Sequence, residues 1–279
     1  MINSIYVDNI IKTALLEDIN YLDVTTDYLI DEEQENTARF LAKDDGILCG
    51  IDIALRVFKI LQPEGFEATV YKKDGDELQK GDIIAEIKGK TRTILKGERT
   101  ALNLLQHMSG IATMTASAVE KVQGTRASVA DTRKTLPGLR ALQKYAVTVG
   151  GGRNHRFNLS DAVMLKDNHI DACGSIEKAV AKVREKLGHM VKIEVETRTL
   201  DEVKEALSAG ADIIMLDNMS NETMAEAVKI VDGKALLEAS GNLTKERIRS
   251  VAELGVDILS IGALTHSVTA FDISMKIKK

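Results

Sequence analysis

The sequence predicts an α/β protein, in which an N-terminal α+β sandwich domain precedes an incomplete, six-stranded α/β barrel. Two observations predict this fold. Beyond Gly124, β-branched runs alternate with helical runs, and four of them end at residues 196, 217, 238 and 261. These steps fit one strand, one helix and two loops, the unit of a parallel sheet. Between residues 37 and 90, hydrophobic residues instead alternate with polar ones, as in antiparallel strands.

The N-terminal domain is predicted over residues 1–110, and the last C-terminal residues are allowed to join it. Residues 1–30 predict short helices with a turn or cap at Asp23. A small sheet is predicted next, partly covered by a helix from Ile51 to Leu61. A long helix from Lys96 to Val122, interrupted at Gly110, leads into the second domain.

The C-terminal catalytic domain is predicted over residues 111–279. Its six strand candidates are residues 127–131, 162–166, 192–196, 213–217, 235–238 and 258–261. A closed barrel needs eight strands, so we expect an open one, with a doubly wound sheet as the second choice.

Composition excludes several classes of protein. The 279 residues carry 37 Lys+Arg against 42 Asp+Glu, a net charge of -5, which argues against nucleic acid as the main partner. Asp8, Glu17 and Asp18 occupy the region where a secretory signal would be apolar, and no run of about 20 apolar residues predicts a membrane span. Cys49 and Cys173 form neither a disulfide framework nor a zinc motif. We expect a cytoplasmic protein.

In a βα barrel, the loops after the strands form the active face. The first such loop contains Thr132, Arg133 and Lys134, which are either anion ligands or solvated charges at a helix start. The next contains three glycines from Gly150, then His155 and Arg156. The glycine N–H groups and Arg156 could hold an anion, with His155 as donor or proton carrier, or this is a flexible surface loop.

The middle strands end in charged residues. Lys166 is the solvated end of a strand, an anion ligand or a Schiff-base nucleophile, and the sequence does not choose between these roles. Glu196 and Asp217 are helix caps or ion-pair partners singly, but together they could bind sugar hydroxyls or Mg²⁺.

Small residues follow the last two strands, where free N–H groups could hold a phosphate, although such turns also occur without a ligand. They are Ser240, Gly241, Asn242, Ser260 and Gly262. The face as a whole therefore predicts a site for a substrate with several carboxylates beside a phosphorylated sugar with a metal.

The motifs closely resemble those of the quinolinate phosphoribosyltransferases, which are type II phosphoribosyltransferases. The matching segments span nearly the whole chain in order and begin at Glu98, Asp131, Gly150, Leu165, Glu194, Leu216, Glu238 and Ser260. The resemblance implies that quinolinate and phosphoribosyl pyrophosphate (PRPP) give nicotinate mononucleotide, pyrophosphate and CO₂, with Mg²⁺ and no organic cofactor. This activity would serve the synthesis of NAD.

The resemblance also implies roles for individual residues. Lys134, Lys166, Glu196 and Asp217 would be catalytic, and Glu196 and Asp217 would face the ribose and the metal. The quinolinate pocket would be lined by Arg133, Lys134, His155, Arg156 and Lys166, and the 5'-phosphate would lie against Ser240, Gly241 and Gly262. Thr132, Asn242 and Ser260 would also bind substrate. Arg99 would enter the site of a neighbouring subunit in a homodimer with shared active sites, with a hexamer left open.

Two residues depart from the family pattern: Leu136 stands in place of a threonine, and Asn242 in place of a glycine. Three other functions stay open at this point. They are a paralogue associated with molybdenum transport that uses another acceptor, a Schiff-base aldolase that uses Lys166, and a non-catalytic sugar-phosphate binding protein.

Overall fold

The computed structural model describes residues 2–278 and divides the chain into two compact units. The first holds the residues up to Ala116, residues 135–151 and those from Leu264 onwards, and the second holds residues 117–134 and 152–263. The domain boundary that the sequence predicts between residues 110 and 111 stays a prediction.

The helices and strands follow one another along the chain. The helices are α1 Ser4–Asp18, α2 Val24–Leu29, α3 Ile51–Leu61, α4 Thr91–Val122, α5 Arg140–Val149, α6 Asp167–Cys173, α7 Ile176–Arg184, α8 Leu200–Ser208, α9 Asn221–Val231, α10 Arg247–Ala252 and α11 Ala263–His266. The strands are β1 Glu35–Ala42, β2 Gly46–Ile47, β3 Glu67–Val70, β4 Glu77–Leu78, β5 Ile83–Lys90, β6 Ser128–Ala130, β7 Val163–Leu165, β8 Ile193–Thr197, β9 Ile213–Asp217, β10 Leu236–Ser240, β11 Ile258–Ser260 and β12 Ile273–Ile277. None of the helices within residues 2–278 is long and apolar enough to cross a bilayer.

The first unit is built on an antiparallel sheet in the order β12-β1-β5-β3. Alternate residues of β1 are buried, and Phe40 meets the ring of Phe58 from α3 edge-on, with centroids 6.1 Å apart. Asp23 caps α2 by accepting hydrogen bonds from Thr25 N–H and Thr26 N–H, as the sequence predicts. The C-terminal β12 forms the edge of this sheet beside β1.

Helix α4 runs unbroken through Gly110, so the expected interruption there is wrong. The glycine instead allows a close approach, because a Cβ at this position would collide with the backbone carbonyl of Thr269. Packing therefore selects Gly110 at some cost in helix propensity.

The second unit contains a six-stranded parallel sheet in the order β6-β11-β10-β9-β8-β7, which confirms the predicted open barrel. Strands β6 and β7 are its two edges, and Arg153 bridges to Ala130 beside β6. Helices α7, α8 and α9 lie against the sheet. Leu216 and Leu259 are fully buried, as are Val203 of α8 and Met224 of α9. Alternation along each strand leaves the other face of the sheet to the polar residues.

Candidate active site

Strand register places several predicted site residues on one face of the parallel sheet. Glu196 on β8 lies opposite Met215 on β9, so Asp217, two residues further along, shares its face. Asp217 pairs with Ser240 on β10, and Ser240 pairs with Ser260 on β11. The carboxyl ends of four neighbouring strands thus present acidic and hydroxyl groups to one region.

Lys166 is held by an ion pair at this edge of the sheet. Its Nζ donates to Glu196 Oε2 at 2.8 Å, and the Lys166 and Glu196 side chains are 45% and 10% exposed. Arg198 lies 3.9 Å from the other Glu196 oxygen, and its hydrogen bond to Asp167 lowers the pKa of that carboxyl. An ammonium bound to a carboxylate is not a nucleophile, which counts against a Schiff-base role for Lys166.

Two guanidinium groups come together near the same face. The Nε atoms of Arg133 and Arg156 are buried and have no hydrogen-bond partner within residues 2–278. Arg156 is held by a bond from Nη1 to the Ala162 carbonyl at 3.0 Å. Burial and then repulsion by Arg133 lower the pKa of Arg156. Two like charges with unused donors are suited to an anion, because an anion would supply both the missing acceptors and the opposite charge.

His155 lies among three acidic residues. Its N–H donates to Asp131 Oδ1 at 2.8 Å, and its Nδ1 accepts the Arg156 N–H at 2.7 Å. Its Nε2 lies 3.1 Å from Glu194 Oε2 and 3.5 Å from Glu238 Oε1. The Glu194 and Glu238 side chains are each only 2% exposed.

Burial alone would lower the pKa of His155, but hydrogen bonds and charge from Glu194 and Glu238 outweigh it and raise this pKa to about 10. Burial also raises the pKa of Glu194.

The loops after β9 and β10 are built around positive backbone angles. Gly241 has φ 84°, Asn218 has φ 55° and Asn242 has φ 52°. Asn242 Nδ2 donates to Asn218 Oδ1 at 3.0 Å, and Asn218 Nδ2 donates to Asp217 Oδ2 at 2.8 Å. Asn tolerates this backbone region better than other side chains, which explains how Asn242 can stand where the family pattern has glycine.

The remaining predicted site residues are Thr132, Lys134, Ser260, Arg99 and Gly262. Lys134 is exposed, and its N–H donates to Thr132 Oγ1 at 3.0 Å. Ser260 is buried, and its Oγ has no hydrogen-bond partner within the described chain. Arg99 is exposed on α4 in the first unit. Gly262 directly precedes α11.

The glycine run from Gly150 does not form the expected cradle of free N–H groups. Gly150 N–H bonds to the Ala146 carbonyl and Gly151 N–H bonds to the Thr148 carbonyl, so both complete the end of α5. Gly150 is also required sterically, because a Cβ there would collide with the backbone carbonyl of Ala112. The anion-binding capacity of this loop therefore lies in Arg156.

Two family models match consecutive parts of the chain. The quinolinate phosphoribosyl transferase N-terminal domain matches residues 23–109, and the C-terminal domain of the same family matches residues 111–276. The chain belongs to the quinolinate phosphoribosyltransferase family.

Individual members of the family are similar over nearly all of this chain. A protein of Bacillus subtilis (strain 168) named "Probable nicotinate-nucleotide pyrophosphorylase [carboxylating]" is 46% identical over 275 residues, which cover 99% of this chain and 94% of that protein. A chloroplastic nicotinate-nucleotide pyrophosphorylase of Arabidopsis thaliana is 43% identical, with 96% and 82% covered. The crystal structure of NadC from Streptococcus pyogenes superposes with a TM-score of 0.95 at 44% identity, covering 100% and 99%. The predicted family and fold are confirmed.

The sequence does not predict that Asp131, Glu194 and Glu238 lie at the site around His155. Strand β10 was predicted to end at Glu238, but it continues to Ser240, so Glu238 lies inside the strand. A buried glutamate inside a strand requires a partner, and His155 supplies it from a distant loop. One signal was present, since Glu194 and Glu196 are two residues apart and so share a face.

Proposed function

We propose that this chain transfers the phosphoribosyl group of PRPP to quinolinate, with loss of CO₂, and forms nicotinate mononucleotide and pyrophosphate for the synthesis of NAD. Membership of the family and the names of relatives that match over most of their length support this activity. The enzyme is a phosphoribosyltransferase, and the complete set of residues expected for a dicarboxylate acceptor favours quinolinate over the acceptor of a related paralogue.

The paired guanidinium groups of Arg133 and Arg156 carry this proposal. Both Nε atoms are buried without a hydrogen-bond partner in the described chain, so an acceptor with two carboxylates would supply what they lack. Lys166, paired with Glu196, would also line the pocket, together with Thr132, Lys134 and His155. The burial of these donors strengthens their attraction for the substrate.

The acidic row on β8 and β9 would face the ribose. Glu196 and Asp217 lie near the carboxyl ends of neighbouring strands on one face of the sheet, and their oxygen atoms suit Mg²⁺. When bound, Mg²⁺ would take up negative charge on the leaving pyrophosphate. The two carboxylates would stabilise the positive charge that develops at the anomeric carbon. We expect no organic cofactor.

The chain would form homodimers in which Arg99 of one subunit reaches the site of the other. A hexamer of the same subunits is the alternative assembly. The 5'-phosphate would lie against Ser240, Gly241, Asn242, Ser260 and Gly262. We expect a cytoplasmic enzyme.

The activity is tested by incubating the purified protein with quinolinate, PRPP and Mg²⁺ and identifying the product by mass spectrometry. Nicotinate, offered as the acceptor in a parallel reaction, tests whether the enzyme requires the second carboxylate of quinolinate. We expect nicotinate mononucleotide and CO₂ from quinolinate only. Equal product from nicotinate, or no product while PRPP binds, would contradict the proposal.

The role of the guanidinium pair is tested with Arg156→Ala. We expect quinolinate binding measured by calorimetry to weaken at least about tenfold, because one charge-assisted contact is lost. PRPP binding should persist. Arg153→Ala is the matched control, since Arg153 is exposed in the same loop. Unchanged quinolinate affinity in Arg156→Ala would remove Arg156 from the pocket.

A further inference from the structure

The turn after β9 has a main-chain conformation that few residues adopt. Asp217 ends β9, and Asn218 follows it at φ 55°, in the left-handed region. This region is strained for any residue with a side chain, although Asn tolerates it best. Asn218 N–H bonds to the Ser240 carbonyl at 2.9 Å, and Asn218 Nδ2 donates to Asp217 Oδ2 at 2.8 Å. The orientation of the Asp217 carboxylate therefore depends on this turn.

Met219, the next residue, has a carbonyl that lies just outside α9. The residue is 4% exposed. Ser220 caps the helix, since its Oγ accepts the Thr223 N–H and its carbonyl accepts the Met224 N–H. A buried main-chain carbonyl outside a helix needs a donor from elsewhere. Arg247 provides it, with Nη2 at 2.5 Å from the Met219 oxygen.

The guanidinium group of Arg247 is oriented by other hydrogen bonds. Its Nε donates to Asn221 Oδ1 at 3.2 Å, and Asn221 Nδ2 donates to Ser250 Oγ at 3.0 Å. Ser250 Oγ in turn donates to the Arg247 carbonyl at 3.0 Å. These bonds link the start of α9 to α10. Because the guanidinium is planar, fixing Nε also directs the Nη2 donor at the Met219 carbonyl.

Arg247 belongs to the segment that follows the next strand, β10. It begins α10, and its N–H bonds to the Thr244 carbonyl at 3.0 Å. From the same segment, Asn242 Nδ2 donates to Asn218 Oδ1 at 3.0 Å. The segment after β10 thus holds the turn after β9 both at Asn218 and at Met219. Because Asp217 and Asn242 are both expected to bind PRPP, these contacts fix the two parts of its site relative to each other.

We propose that Arg247 is a positioning residue for PRPP, which fixes the Met219 carbonyl and so keeps Asp217 and Asn218 in the turn that PRPP binding requires. In this role Arg247 does not touch the substrate. Loss of the guanidinium would free the main chain beside the strained Asn218, and relief of that strain would move the Asn218 amide away from Asp217. The proposal rests on the proposed function only for the identity of PRPP as the ligand.

Arg247→Met tests this role, because Met fills part of the same space without a donor. Calorimetry with PRPP and Mg²⁺ should show a Kd about tenfold higher, as for one lost buried hydrogen bond. The Kd for quinolinate should change by less than about threefold, because Arg156 is held through the Ala162 carbonyl on another loop. An unchanged Kd for PRPP, or equal losses for both substrates, would overturn the proposal.

Arg249→Met is the matched control. Arg249 lies on the same helix and also donates to a main-chain carbonyl, that of Gln123, at 2.7 Å. Its Nε bonds to Glu253, so it is fixed at two points as Arg247 is. Urea denaturation should show that both variants lose stability, but Arg249→Met should keep its PRPP affinity within about threefold. Equal losses of PRPP affinity in the two variants would contradict a positioning role.

Arg247→Lys tests whether one donor is enough. A lysine can reach the Met219 carbonyl but cannot bond to Asn221 at the same time in the manner of a guanidinium. We expect PRPP affinity to fall about threefold, less than in Arg247→Met, and quinolinate affinity to stay unchanged. If Arg247→Met does not fold, this variant decides. Unchanged PRPP affinity in Arg247→Lys would then refute the proposal.

A crystal structure of the Arg247 variant tests the geometry without any ligand. We expect Asn218 to leave its φ near 55° and to lose its hydrogen bond to Asp217. An unaltered turn would overturn the proposal even if PRPP affinity fell. If the unaltered protein binds PRPP but forms no product, the proposed function fails and the comparison of PRPP affinities still tests Arg247. If it does not bind PRPP, the crystal structure alone decides whether Arg247 holds the turn.

Discussion

The charged side chains at the strand ends differ in the groups that balance their charge. This difference indicates different roles for them. Lys166 is neutralised by Glu196 at 2.8 Å, so its removal would leave a carboxylate without its cation. Arg133 and Arg156 instead lie near each other with unused donors. The guanidinium pair would therefore provide most of the attraction for an anionic acceptor, whereas Lys166 would keep Glu196 from repelling it.

Lys166→Ala should weaken quinolinate binding about 10- to 100-fold, because a cation is lost and Glu196 loses the ammonium that lies 2.8 Å from it. PRPP binding should survive. Calorimetry with each substrate measures both effects. Lys192→Ala is the control. Lys192 directly precedes β8, the strand of Glu196, and its side chain pairs with Asp212 and is 66% exposed. Loss of PRPP affinity instead of quinolinate affinity would contradict the assignment.

Gly241 is constrained twice, by its φ of 84° and by the Asn218 side chain, which a Cβ would strike. Gly241→Ala should therefore displace Asn218, which bonds to Asp217, and weaken PRPP binding about tenfold or more. Gly210→Ala shares the backbone strain at φ 79° but has nothing within 4 Å of its Cβ. Gly210→Ala should therefore lower stability without weakening PRPP binding. Similar PRPP affinity in both variants, measured by calorimetry, would argue against a role for this loop.

At the scale of secondary structure, the repeat of strands and helices was predictable because each βα unit has a local hydrophobic pattern and a fixed length. All six parallel strands occur where the sequence predicts them, within about two residues. The end of β10 was missed because the acceptability of a buried Glu238 depends on His155, which is distant in sequence. The glycine run from Gly150 was predicted to hold an anion, but Gly150 is required by packing against α4. That contact joins residues that are distant in sequence.

The start of β9 illustrates how one carboxylate can join elements. Asp212 accepts hydrogen bonds from Ile193 N–H at 2.8 Å and from Arg184 at 3.0 Å. Burial opposes its ionisation, but these bonds and the Lys192 ammonium outweigh burial and lower the pKa of Asp212. A carboxyl with a lowered pKa stabilises the folded state above its unfolded pKa, and this contribution disappears as the pH falls through the folded value.

Asp212→Asn should therefore cost about 1 to 2 kcal/mol of unfolding free energy at pH 7, and the difference from the unaltered protein should shrink below about pH 4. Urea denaturation at several pH values measures it. Asp201→Asn is the control, because its carboxylate is 91% exposed and should matter little. A difference that grows as the pH falls would contradict the assigned direction of the pKa.

At the scale of the whole molecule, the distribution of charge matters more than its sum. The chain has a net charge of -5, yet Arg133 and Arg156 present positive charge at one site. Such local concentration attracts an anionic substrate to an otherwise acidic protein. Arg99 lies in the other compact unit and is exposed.

The proposed shared site predicts that Arg99→Ala and Lys134→Ala subunits, each inactive alone, recover activity when mixed. A mixed dimer would combine the intact Lys134 of one subunit with the intact Arg99 of the other, giving one complete site and one site with both changes. Random exchange of equal amounts should therefore restore about a quarter of the unaltered activity. Product formation is measured after mass spectrometry has verified the mixed dimers. If both residues acted within one subunit, the mixture would stay inactive, because every site would then keep one defect.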